Sequence, residues 1–163
     1  MYQFWLGGIL LPVTPGDFTI KINDKDKTVS MINESEVNIL KSPGLKDVTI
    51  PELLLPTQRY PFVQSEAKID PDYYLGKLEK WKNERKPIKF KVIRLKTNKL
   101  LWNTDMYVTI GSYEVEENVD KYGGDVCVKL NLKEWKYWGA KKLVPKKNKK
   151  MGKHMQLSKE VGW

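Results

Sequence analysis

The chain has little of what disulfide-rich domains and most hydrolases are built on. One cysteine, Cys127, in 163 residues excludes an intramolecular disulfide framework and any cysteine-rich zinc site. One histidine, His154, removes most imidazole metal sites and leaves a histidine-based triad without support. No apolar run approaches the ~20 residues of a membrane-spanning helix; the longest, around Leu6–Val13, falls far short. Met1–Leu6 contains no basic residue, so no secretory signal is expected. Gly7-Gly8 and Gly123-Gly124 lack the downstream Gly, Lys and helix that a phosphate-binding loop requires. The expectation is a soluble chain with no membrane partner and no cofactor.

What is present is aromatic and basic. Six Trp, eight Tyr and four Phe, within an apolar content of 40%, argue against a disordered chain. The length suits one domain plus a tail, large enough to fold without metal or disulfide. The formal charge is +9, but 141–163 holds eight Lys against one Glu, a net +7. The remainder has 21 basic and 19 acidic residues, a net +2, so the body is nearly neutral. The boundary follows: a folded domain over 1–140 and a Lys-rich arm over 141–163. Lys141, Lys142, Lys146, Lys147, Lys149, Lys150 and Lys153 are the candidate electrostatic residues of that arm. Such a run repels itself and has no apolar period, so it reads as an extended arm for an acidic surface or a phosphate backbone, or else as a solvated linker.

Within the body the dominant period is two. Ile88-Lys89-Phe90-Lys91-Val92, Met106–Ile110 and Val126–Lys133 alternate apolar and polar residues, the pattern of half-buried strands. Gly111-Ser112 interrupts the second run before Tyr113 and Val115, predicting a bulge that resets the face. Lys96–Lys99 and Tyr122–Asp125 read as turns. Shorter strands are expected at Tyr2–Leu6, Phe18–Ile22, Thr28–Ile32, Val37–Leu40 and Asp47–Leu54, with the prolines between them on edges or in loops. One segment differs. Asp70-Pro71-Asp72 supplies an N-cap, a first-turn proline and an acid. Tyr74, Leu78 and Trp81 then recur at i, i+4 and i+7, and Pro87 ends the pattern, predicting an amphipathic helix over about 71–85 that packs on the sheet. Strands, one helix, then a long antiparallel set, with no βαβ alternation, define an α+β fold of mainly antiparallel sheet.

Candidate chemistry is sparse. His154 lies in the basic tail with no rigid support around it, and Cys127 sits in a strand beside Lys129 without a histidine partner. The acid pairs Glu34/Glu36, Glu116/Glu117 and Asp24/Asp26 sit in polar, turn-like surroundings where carboxylates keep ordinary pKa values. No catalytic, metal or cofactor-binding residue is assigned, and no enzyme is expected. Trp135, Tyr137 and Trp138, in Lys133-Glu134-Trp135-Lys136-Tyr137-Trp138, resemble a stacking platform for single-stranded nucleic acid. Read as a two-faced strand they are better explained by burial on both sides, one face on the helix and the other on a neighbouring subunit.

The ordered set of these segments resembles a known family. Phe4-Trp5-Leu6 and Leu11-Pro12-Val13-Thr14-Pro15, then Pro71, Leu78-Glu79-Lys80-Trp81 and Arg85-Lys86-Pro87-Ile88-Lys89-Phe90, then Val108-Thr109-Ile110 with Tyr113, and last Leu130-Asn131-Leu132-Lys133-Glu134-Trp135-Lys136, are similar to the LysM-bearing tail-assembly proteins of contractile phages and phage-tail-like particles of Gram-positive bacteria. The likeness spans about 2–143. It implies a tail-tube-like domain and a structural role where the tail tube meets the baseplate. The implied assembly is a hexameric ring in contact with tube, hub or spike, and baseplate wedge or sheath-initiator proteins. It would be built in the bacterial cytoplasm and carried in the particle. The family usually continues into a LysM module; none is visible after Leu143, so peptidoglycan binding is not carried over. The rival expectation is a basic nucleic-acid-binding β-domain with a Lys-rich arm. A weaker rival is a small cell-wall hydrolase.

Overall fold

A computed structural model describes residues 1–33, 35–97 and 99–138; the Lys-rich segment 141–163, with His154, lies outside them. The elements follow in chain order: β1 (Tyr2–Leu6), β2 (Ile9–Leu10), β3 (Thr19–Ile22), β4 (Lys27–Ser30), β5 (Glu36–Ile39), β6 (Lys46–Leu55), α1 (Pro71–Glu84), β7 (Ile88–Lys96), β8 (Lys99–Leu100), β9 (Thr104–Glu117), α2 (Val119–Tyr122) and β10 (Val126–Glu134). The fold is α+β: a mainly antiparallel sheet with one long helix packed on it. The main sheet runs β2-β1-β7-β9-β10-β6-β3, with β8 folded back on β7, and β4–β5 forms a separate two-stranded ribbon. Every pairing is antiparallel.

Alternation decides the two faces. Phe4 and Leu6, Ile88, Phe90 and Val92, Val108 and Ile110, Leu130 and Leu132, and Val48 and Ile50 all enter one core. Their neighbours in sequence form the opposite, outer face. The expected bulge occurs in β9: Leu132 pairs with Ile110 and Asn131 with Ser112, which leaves Gly111 without a partner. The extra residue keeps Ile110 and Tyr113 on the same side although they are three apart. A second irregularity in β6, where Val128 faces Leu53 but Leu130 faces Ile50, contains Pro51. Beyond residue 49 this strand is a sheet edge, the kind of position expected for a proline. Pro51 is inside β6, at a bulge, and β3 pairs only with 46–49, so no ladder donor is missed there.

Helix α1 begins as its sequence predicts. Asp70 is the N-cap, its carboxylate accepts from Asp72 N at 3.2 Å, and Pro71 occupies the first turn. Tyr74 and Leu78 are buried, and Trp81 is only half-buried, so the stripe is less submerged at its C-terminal end than its spacing suggests. These side chains meet Leu6, Ile9 and Leu11 from one flank of the sheet and Leu53 from the other. Strands β1 and β6 are four steps apart in the sheet, about 19 Å if it were flat. Contact of both with one helix therefore means that the sheet curls around α1. The Tyr74 hydroxyl donates toward Leu10 O and Lys68 O, each at 3.2 Å, tying the helix to both the first hairpin and its own leading loop. Lys82 donates to Ile110 O at 3.1 Å and also to Gly111 O, so an ammonium group satisfies the carbonyls that the β9 bulge turns out of the ladder. The one-turn helix α2, capped by Asn118, was not legible in the sequence; Gly123 with φ 64° ends it where a turn was expected.

Candidate interaction surface

The groups capable of chemistry are dispersed and serve the fold. Asp24 accepts from the backbone N–H of Lys25 and Asp26, and Asp26 accepts from Lys41 N at 2.6 Å; this pair shapes a turn. Glu36 is exposed on β5, and Glu34 lies outside the described residues. Glu114 and Glu116 flank the Lys129 ammonium at 3.7 and 3.8 Å. Cys127 is buried in β10. Asp125 is buried beside a shallow depression of about 370 Å³ at the N-terminus of α1. Its carboxylate accepts from both the N–H and the hydroxyl of Thr57 at 2.8 Å and so pins the end of β6 to the start of β10. No group of three or more His, Cys, Asp or Glu suited to a metal ion occurs among the described residues. No helix among them is long and apolar enough to cross a membrane.

The outer face of the sheet is built differently. Trp5 on β1 lies directly opposite Lys91 on β7, and Lys89 lies opposite Tyr107 on β9. Trp135 N donates to Tyr107 O at 2.7 Å, and its ring meets Tyr107 and Tyr137 edge-on at 6.4 and 6.3 Å. Aromatics and lysines thus form a band across β1, β7 and β9 to the end of β10, with Asp105 within it, opposite Lys91 and paired with Lys89 at 3.2 Å. A hollow of about 350 Å³, lined by Trp5, Gly8, Lys89, Lys91 and Ile93, opens at its β1 end. Within the described residues the Trp5 indole N–H is buried without an acceptor. The expectation of a two-faced strand through Trp138 needs correction here. Strand β10 ends at Glu134, whose carboxylate accepts from Lys46 N at 3.0 Å. Trp135 lies on the side away from α1, and Tyr137 and Trp138 are exposed beyond the strand, so none of the three packs on the helix. Trp135 and Tyr137 belong to the aromatic band; Trp138 joins neither face of a ladder.

A second surface went unrecognised in the sequence. Strands β4 and β5 pair Lys27 with Ile39 and Val29 with Val37 on one face, and Thr28 with Asn38 and Ser30 with Glu36 on the other. The ribbon is therefore amphipathic, yet all eight of its strand residues are exposed. Met31, Ile32 and Leu40, just beyond the strand ends, are exposed as well. Its base is firmly held. Gly44 N donates to Asn23 O at 2.7 Å, and Asn23 Nδ2 donates to Leu45 O and Asp47 Oδ2. A β-carbon at Gly44 would sit only 3.0 Å from Asn23 O, so glycine permits that close approach. Period two marked these strands in the sequence; it could not reveal that no layer among the described residues covers them.

No family model matches the chain. A Bacillus subtilis (strain 168) protein, Uncharacterized protein YqbP, is 24% identical over 155 residues. The match takes in 92% of this chain and 66% of YqbP, so the chain spans just under two thirds of that relative's length. Nearly all of the described domain falls within a match of that extent, so the likeness to YqbP concerns a whole folded unit and not an isolated motif. The name of YqbP states no activity and no partner.

Proposed function

We propose that this chain is a non-enzymatic structural component of a contractile phage tail or phage-tail-like particle. It sits at the junction of tube and baseplate and forms a symmetric ring that links tube or hub to the surrounding baseplate proteins. The observation that carries the reading is the pairing of an ordered set of tail-assembly-like segments with a curled antiparallel sheet around one helix that leaves two large surfaces uncovered. The apolar side of β4–β5 is exposed, as are Tyr137 in the aromatic band and Trp138 beyond it, and exposed apolar patches mark interaction surfaces. Copies related by symmetry are one way to cover such surfaces. Asp24, Asp26, Asp70 and Asp125 hold turns, a helix cap and a strand end, and Glu114 and Glu116 pair with Lys129.

The test is reconstruction of an intact tail together with its protein inventory. The chain is expected in several symmetry-related copies around the axis near the tube–baseplate junction. Absence from particles, or wall-degrading turnover by the purified chain, would overturn the reading. Deleting 141–163 should leave the body folded and weaken incorporation; normal incorporation at physiological ionic strength would reduce that segment to a solvated linker. The band of Lys89, Lys91, Tyr107 and Trp135 is the observation that favours the rival, a nucleic-acid-binding β-domain. Under the rival, affinity for an oligonucleotide falls steeply between low and moderate salt.

A further inference from the structure

We infer that the Lys-rich segment 141–163 docks on its own chain, along the open edge of β9 over 112–117 and the start of α2. The inference goes beyond the ring reading and does not rest on it. Strand β9 has two neighbours only in its first part. Strand β7 pairs with 104–108 and begins at Ile88, whereas β10 pairs with β9 out to Glu117. From Ser112 onward the β7 side of β9 therefore carries no strand, and alternate residues direct their N–H and C=O groups outward there. Lys82 donates to Ile110 O and Gly111 O; among the described residues no side chain donates to a backbone carbonyl of 112–117. Exposure agrees: Val115, opposite Val128 on the core side of the strand, is still 44% exposed.

This edge is negative as well as open. Residues 112–120 include Glu114, Glu116, Glu117 and Asp120 and no base. Neighbouring lysines offset only part of that charge. Lys129 is shared between Glu114 and Glu116 at 3.7 and 3.8 Å, so one ammonium serves two carboxylates. Lys121 is held by Glu52 at 3.0 Å. Glu117 and Asp120 have no ion-pair partner among the described residues. The depression beside Glu117 adds Asp72 and Asp125 to its lining and no base.

Such a surface calls for cationic donors, and 141–163 carries a net +7 against +2 for the rest of the chain. Lysine suits it twice over: an ammonium group pairs with the carboxylates and donates to edge carbonyls, as Lys82 does at the bulge. The segment also reaches. Ser112 lies opposite Asn131 and Glu117 opposite Val126, so the far end of the edge is eight residues back from Glu134, ~27 Å along the strand. Trp138 to Lys150 is 12 residues, ~40 Å when extended. Single exposed ion pairs are weak, but several on one tethered segment act at the high effective concentration of an intramolecular contact. Pro145 and the lysine run are poor strand formers, so the segment covers the edge without presenting a new one.

The experiment uses the full chain carrying p-benzoylphenylalanine in place of Asn148, as an equal mixture of unlabelled and ¹⁵N-labelled copies. The mixture is irradiated in dilute solution at low and at high salt, and crosslinks are mapped by mass spectrometry. Single-isotope crosslinks from position 148 to 112–120 are expected, with a yield at least fivefold lower at high salt. Glu114→Lys combined with Glu117→Lys should lower the low-salt yield at least fivefold without moving the far-UV circular dichroism. Mixed-isotope crosslinks as the main product would overturn the inference, because the segment would then reach a second copy. Crosslinks solely elsewhere on the chain, a yield indifferent to salt and to the two substitutions, or no crosslink at all would also overturn it. If the chain is absent from particles while the single-isotope crosslinks form, the ring reading fails and the docking stands. If a ring is seen and position 148 does not crosslink to 112–120 of its own copy, the docking fails and the ring stands.

Discussion

Gly7 and Trp81 form a coupled pair, and their coupling can be measured. Gly7 has φ 58°, a left-handed conformation that costs an L-residue roughly 1–2 kcal/mol. A β-carbon placed there would overlap the six-membered ring of Trp81. Gly7→Ala should therefore carry two penalties: the backbone one, and about 1–3 kcal/mol for displacing a packed ring. Trp81→Ala removes a half-buried indole. A fully buried Trp costs about 3–5 kcal/mol, so about half of that, ~2 kcal/mol, is expected here. With the indole gone, its three nearest neighbours are removed, and Gly7→Ala should then cost mainly its backbone part, about 1–2 kcal/mol. The double mutant should be more stable than additivity requires by about 1–3 kcal/mol. Urea unfolding followed by far-UV circular dichroism, which does not depend on the number of tryptophans, gives all four stabilities. Equal cost of Gly7→Ala in both backgrounds would refute the close packing of the β1–β2 turn on α1.

Burial raises the Tyr74 phenol above its ordinary value of 10.0, so the folded state holds this proton more tightly than the unfolded chain. Its contribution is complete below about pH 10 and is lost as pH rises through the folded value; Tyr74→Phe should flatten that alkaline decline, measured by denaturation midpoints at pH 9 to 11. The same substitution should cost about 0.5–1.5 kcal/mol at neutral pH for the hydrogen bonds to Leu10 and Lys68. Lys82→Met should cost about 1 kcal/mol, because the exposed ammonium group is only partly desolvated, and should speed amide exchange around Gly111; unchanged exchange would refute its role at the bulge. Asp125→Ala should cost about 1–3 kcal/mol by stranding Thr57 N and its hydroxyl, with Asp125→Asn recovering part of the loss in the same unfolding assay.

Local signals were legible where one segment carried the whole reason. Asp70-Pro71 with the Tyr74, Leu78 and Trp81 spacing defined α1 to within a residue, and Gly111-Ser112 marked the bulge. The curl of the sheet was not legible, because it comes from Leu6 and Leu53, far apart in sequence, meeting one helix. The end of β10 was missed for a similar reason. Nothing near Glu134 in the chain says that its carboxylate will cap Lys46. Trp135 and Tyr137 were singled out correctly as a cluster but on a false premise of strand continuation. The β4–β5 ribbon was read as two more strands, since period two reports which residues share a face and never whether another layer lies against it.

The sheet order has a kinetic meaning. Strand β1 pairs with β7 across almost ninety residues of chain, and β6 waits for β10, the final strand among the described residues. Only the β1–β2, β3–β6 and β4–β5 pairings can form from the first half of the chain, and none of them closes a core. Long-range antiparallel pairing of this kind folds slowly. Until β10 arrives between β9 and β6, both present naked edges capable of pairing with another molecule. A nascent or truncated chain that stops short of Glu134 would therefore be an aggregation hazard and not a smaller version of the domain. The yield of folded protein would depend on finishing each chain before other copies are met.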